Sequence, residues 1–182
     1  MNADRTSATP NRLFTLFNVV WFQVIWILAV AYQMKFIYLV AALVVLHFFV
    51  TSTPKRDLFI MLVGVVIGCL IDNLLTANKV FVFSDQPSIG LIPVWLVILW
   101  AAFAISTYHS LSIWIKSRAV QILIGAVAGP ISYLAGRHFD AVTFSFSTLV
   151  TFIILAIVWA ILLPILIELS NYFRHAKSNK HA

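Results

Sequence analysis

Residues 58–77 read LFIMLVGVVIGCLIDNLLTA, a run of 20 residues with a single charge, at Asp72. About 20 residues at 1.5 Å rise each are what a helix needs to cross a hydrocarbon layer about 30 Å thick. Five more apolar runs flank this one, at about Leu13–Tyr32, Phe36–Ser52, Ile92–Trp114, Ala119–Gly136 and Phe144–Phe173. The last is long and interrupted by Pro164, which predicts a span that tilts or kinks. The composition agrees: of 182 residues 62% are apolar and 10% charged, too little polar surface for a water-soluble domain. Disorder needs low hydrophobicity as well as high net charge, so it is excluded too. The reading is an all-α polytopic membrane bundle of six transmembrane helices, a single integral domain over residues 1–182 with tails at about 1–12 and 174–182.

The net charge of +6 is explained by topology. With the N-terminus inside, Arg5, Arg12, Lys55, Arg56, Lys116, Arg118, Arg174, Lys177 and Lys180 lie inside, and only Lys35, Lys79 and Arg137 outside. Nine against three is a positive-inside bias that puts both termini in the cytoplasm. A nucleic-acid partner is not expected. The first run, which follows Arg5 and Arg12 and ends in Ala29-Val30-Ala31, has a signal-peptide reading. Its length, its bulky Phe14, Phe17, Trp21, Phe22 and Trp26, and its Asn18 and Gln23 favour retention as the first helix. The one cysteine, Cys69, excludes an internal disulfide and a CxxC motif. The longest connection, Asn78–Leu91, is placed outside, as an interfacial connector or a lid.

Gly64 and Gly68 in the third run, and Gly125 and Gly129 in the fifth, are small-xxx-small pairs that let helices approach closely. An offset of 61 residues superposes these pairs and also Lys55 on Lys116, which suggests that helices two and three repeat as four and five. Continuing each ridge in steps of four leads to Asp72 and Thr76 in one helix, and to Tyr133 and Arg137 in the other. Asp72 and Tyr133 therefore share a depth. A carboxylate inside a span costs about 2.5–3.5 kcal/mol on insertion scales, so it faces the bundle interior with a partner. Asp72, Asn73, Trp95, Tyr133 and Arg137 are the candidate outer-leaflet pocket for a polar headgroup or small solute, with Arg137 holding an anion. The competing reading is a bond from Asp72 to Tyr133 or Arg137 that locks two helices.

A second polar level lies inward, where His47 and His109 end helices two and four, with Asn18 and Thr107 at similar depth. No HxxxH or HExxH pairing exists, and Glu168 is the one carboxylate assigned near that level, as an interfacial ion-pair member. The histidines are read as hydrogen-bonded packing, and no metal or cofactor is expected. Arg137-His138-Phe139-Asp140 reads as a solvated turn, and Gly129-Pro130 as a local break in helix five. P-loop and GxSxG signatures are absent.

Several strings carry a resemblance: Gly68-Cys69-Leu70-Ile71-Asp72, Pro93-Val94-Trp95, Leu99-Trp100-Ala101-Ala102-Phe103-Ala104, His109-Ser110-Leu111, and Gly129-Pro130-Ile131-Ser132-Tyr133-Leu134-Ala135-Gly136. From Trp21 to Pro164 the chain resembles a small bacterial inner-membrane family known as a domain of unknown function. The resemblance implies a Gram-negative cytoplasmic membrane and, from frequent gene proximity, an association with fatty-acid-modifying enzymes of the cyclopropane-synthase type. It supplies no catalytic residues. The expected function is a lipid-associated binding or accessory protein, with membrane lipid and lipid-modifying enzymes as partners. The alternatives are a small transporter or flippase-like carrier, and an intramembrane enzyme using Asp72 with His109 or His138. Helical rise puts Asp72 and His109 roughly 12 Å apart in depth, which weakens the first of those pairings.

Overall fold

The computed structural model describes residues 12–175. The chain is overwhelmingly helical, and five helical stretches are long and apolar enough to cross a membrane. The first of them, Arg12–Val50, is not one rod. It comprises α1 (Arg12–Tyr32), a 3-10 turn (Gln33–Phe36) and α2 (Ile37–Val50), with Gln33 in the left-handed region at φ +49°. In a straight helix Trp21 and Leu43 would stand about 33 Å apart. Instead the Trp21 indole N–H donates to the Leu43 carbonyl at 3.1 Å, and the Trp21 and His47 rings lie 5.1 Å apart. The turn at Gln33 thus folds α2 back along α1. Ala29 and Val30 pack in the core, so the end of α1 that resembled a cleavage site is an integral packing surface.

The helix α3 (Pro54–Ala77) opens with proline in its first turn, where the missing N–H costs nothing. After it come α4 (Val94–Ser106), a π-helical segment (Thr107–Leu111) and the short α5 (Ser112–Trp114), which continue as one rod. The last pair is α6 (Arg118–His138) and α7 (Thr148–His175). Four two-residue strands, which the all-helical reading did not contain, cap one end of the bundle. Strand β1 (Phe81–Val82) pairs with β4 (Thr143–Phe144), tying the α3–α4 connection to the α6–α7 turn. Strands β2 (Ser88–Ile89) and β3 (Ile92–Pro93) form a tight hairpin whose turn places Gly90 at φ +67°. A side chain at Gly90 would also meet Asn73 Oδ1 at 2.5 Å, so both backbone and space call for glycine there.

The opposite end is the basic one. Among the described residues it carries Arg12, Lys55, Arg56, Lys116, Arg118 and Arg174, against Lys35, Lys79 and Arg137 at the strand-capped end.

Two helix pairs make the tightest seams, and glycines set both. A Cβ on Gly64 would sit 2.3 Å from Ala104 Cβ, and one on Gly68 would sit 2.0 Å from the Trp100 indole. On α6, a Cβ on Gly125 would sit 2.2 Å from the Trp159 carbonyl oxygen, and one on Gly129 would enter the Trp159 indole. Each glycine pair therefore seats a tryptophan of the following helix. Trp100 and Trp159 then stack on each other, centroids 5.6 Å apart and planes 8° apart. The positions related by the 61-residue offset thus support matching seams that meet at the centre. Away from these seams the helices turn apolar side chains outward, as at Leu62, Val66, Leu70 and Leu74 of α3 and at Ile153, Ile157, Ile161 and Ile165 of α7. In water such a belt would drive aggregation; in a bilayer it meets hydrocarbon.

Candidate functional site

Two aspartates on α3 are buried, and each gathers a different set of partners. Asp72 is fully enclosed. The Tyr133 hydroxyl donates to its Oδ1 at 2.5 Å, and the Trp100 indole N–H donates to its Oδ2 at 2.6 Å. Both donors are neutral, and no cation among the described residues forms an ion pair with Asp72. Spacing alone put Asp72 and Tyr133 at one depth; Trp100 was legible only as part of a string. Its role follows from Gly68, one turn before Asp72, whose missing side chain admits the indole.

The other three candidates at this level are employed separately. Asn73 donates to the Cys69 carbonyl at 2.7 Å and accepts from the Leu91 N–H at 2.7 Å, fastening the β2–β3 turn to α3. Trp95 is buried beside Phe83, ring centroids 6.1 Å apart, and its indole N–H has no partner. Arg137 is exposed, donates to Thr148 Oγ1 at 2.5 Å and lies 5.3 Å over the Phe144 ring. Its guanidinium thus braces the α6–α7 turn. A cavity of about 280 Å³ lies under the strand cap, lined by Thr76, Phe83, Asp85, Gln86, Ser88 and Gly90 among others, and by none of the five candidates. His138, the other proposed partner of Asp72, is exposed and packs on Phe139.

Asp57, at the basic end, is the carboxylate that the sequence reading missed. It lies in the first turn of α3, where the helix dipole favours negative charge. Thr53 Oγ1 donates to its Oδ1 at 2.9 Å. Its Oδ2 lies 2.9 Å from His47 Nε2 and 2.8 Å from His109 Nε2. Glu168 is an ion-pair member as expected, but its partner is Arg118 at 2.8 Å, and the pair is exposed. A signal for Asp57 was available. His47 stands about one turn before the α2–α3 corner and Asp57 about one turn after it, so a hairpin sets them at one depth.

The π-helical segment delivers the third member. It inserts an extra residue into the α4–α5 rod, and such segments cluster at functional sites. Here it turns His109 onto Asp57, Ser110 onto Asn18 Oδ1 at 2.7 Å, and Tyr108 toward α3 and α7. Arg56 donates to the Tyr108 hydroxyl at 2.7 Å, while Arg174 donates to the Tyr108 carbonyl and to Ser112 Oγ. Their guanidinium carbons lie 6.0 and 4.8 Å from the Tyr108 ring. No carboxylate among the described residues pairs with either arginine. Asp57 and His47 are sealed, whereas the His109 side chain is 12% exposed. Chemically, the cluster offers two imidazoles and a carboxylate for proton exchange or metal coordination, with two cations gathered on Tyr108, whose ring packs on His109.

No curated protein and no solved structure matches this chain. A match extending over residues 15–165, including both buried aspartates and both histidines, places the chain in the family described as "Protein of unknown function (DUF2878)".

Proposed function

We propose that this integral membrane protein is a single six-span domain of the bacterial cytoplasmic membrane, both ends cytoplasmic, that holds an anionic lipid headgroup at its basic end. The carrying observation is the pair Arg56 and Arg174, which converge on Tyr108 without a carboxylate partner among the described residues. A guanidinium has five N–H donors. Arg56 spends one on Tyr108 and Arg174 uses one nitrogen on the Tyr108 carbonyl and Ser112, so donors remain for a phosphate. The hairpin at Gln33 supports counting α1 and α2 as separate spans, and an even number returns the chain to its starting side. The basic bias supports a cytoplasmic side for this end, where anionic headgroups concentrate.

This reading moves the lipid contact from the level of Asp72, whose oxygens are both occupied, to the level of Asp57. A second reading, an enzyme acting on the held headgroup, is favoured by His109 packing on Tyr108, the residue on which both arginines converge. Gentle extraction followed by mass spectrometry of retained lipids tests the headgroup proposal. Wild type should carry phosphatidylglycerol or another anionic lipid in preference to zwitterionic lipid. The double variant Arg56→Gln/Arg174→Gln should bind it more weakly by roughly 2 kcal/mol, about 30-fold, at about 1 kcal/mol per basic residue. An unchanged anionic-lipid complement in the double variant would sink the proposal.

A further inference from the structure

We infer that His47, Asp57 and His109 form a binding site for a divalent transition-metal ion of the zinc or iron(II) class. Three separate elements, α2, α3 and the π-helical segment, each contribute one ligand atom, and the three atoms lie within 4.8 Å of one another. Metal–nitrogen and metal–oxygen bonds of about 2.0–2.2 Å hold neighbouring ligand atoms about 3.0 Å apart in an octahedron and about 3.3 Å in a tetrahedron. The two Asp57–histidine separations of 2.8 and 2.9 Å therefore need to open by a few tenths of an ångström, while the two imidazole nitrogens, within 4.8 Å of each other, turn toward a common centre. Two imidazoles and one carboxylate are also a donor set that leaves coordination positions open for a substrate or water. The access is consistent: His47 and Asp57 are sealed, while the His109 side chain is 12% exposed.

A hydrogen-bonded cluster without metal is the competing account of the same atoms. Both Nε2 atoms address one oxygen, so both would have to carry the proton. The remaining nitrogen of His47, Nδ1, is buried without a partner, and so is Asn18 Nδ2. Asn18 projects from the face of α1 that bears Phe14 and Trp21, the two rings of α1 packed on His47. A metal on Nε2 leaves Nδ1 of His47 as it is, so the site rests on the three ligand atoms that converge from separate elements. With one carboxylate against a dipositive ion, the site would keep a net positive charge and draw an anionic ligand. The site stands on its own geometry and does not depend on the headgroup reading.

The test uses tag-free, purified full-length protein stripped with a chelator, titrated with zinc(II) or cobalt(II) alone and in the absence of added lipid. Wild type should bind one equivalent, cobalt should develop visible d–d absorption, and X-ray absorption should find imidazole in the first shell. His109→Gln, at the exposed edge, should bind roughly 100-fold more weakly while keeping its elution volume and a melting temperature within about 4 °C of wild type. The proposal is overturned if stripped wild type shows no saturable binding. It is equally overturned if the bound metal has an oxygen-only shell, or if His109→Gln binds as tightly as wild type. The absorption measurement needs no variant, so it decides even if substitutions disturb folding. Loss of lipid retention with intact metal binding would reject the headgroup reading alone.

Discussion

Asp57 and Asp72 lie on the same helix, about 22 Å apart along its axis, and both are shielded from solvent. Asp72 receives a phenol and an indole, donors that stay neutral, each held in place by a glycine-lined seam or a stacked ring. Tyr133 itself stacks on Phe81 at 5.1 Å, so the strand cap presses on the donor from outside. Asp57 receives two imidazoles, and one of them packs on Tyr108, where two guanidinium groups with spare donors converge. Two carboxylates of similar burial therefore do different work. A carboxylate enclosed by rigid neutral donors ties α3, α4 and α6 together, and the cavity at the strand-capped end does not reach it. One filled by protonatable, metal-competent donors with an exposed edge retains chemistry.

The contrast can be broken most forcefully at Asp72. Asp72→Ala strands the Tyr133 hydroxyl and the Trp100 N–H in the core and leaves a small void. At about 1–3 kcal/mol for each unpaired donor, roughly 3 kcal/mol of stability should be lost, read as a lowered melting temperature in detergent. A melting temperature equal to wild type would show that Asp72 is not the lock. His109→Gln is the matched change at the other level. Gln keeps an N–H donor, and Asp57 keeps His47 and Thr53, so the loss should stay below about 1 kcal/mol. A destabilisation as large as that of Asp72→Ala would erase the distinction between the two aspartates. Glu168→Gln should do least. Its ion pair with Arg118 is 60–71% exposed, and such pairs contribute about 0–1 kcal/mol, so the melting temperature should be almost unchanged.

Much of the lock at Asp72 was legible in advance. Helical periodicity assigns depth and face, and stepping by four from Gly68 and from Gly129 leads to Asp72 and Tyr133, the two residues that bond. Arg137 follows the same stepping yet points elsewhere, because a long side chain at a helix end finds the nearest acceptor, here Thr148 across the turn. Asn73 was assigned to the pocket because it adjoins Asp72, but adjacent residues on a helix point about 100° apart. It accordingly serves the loop. The basic end was harder to read. Its histidines were noticed, but their carboxylate sits at the start of the next helix, where an aspartate reads as an ordinary first-turn residue.

The apolar helices, the concentration of basic residues at one end and the depth shared by Asp72 and Tyr133 can all be read from the order of the residues. These follow from hydropathy and from a regular 1.5 Å rise, which are local properties. Which depth-matched side chains touch is a property of the packed bundle. That depends on the rotation of each helix about its own axis, which is set by how close its neighbours come. Gly64 and Gly68 admit Ala104 and Trp100 and thereby set α4 against α3. The π-helical segment Thr107–Leu111 then shifts the phase of the rod by one residue, and this brings His109 to Asp57.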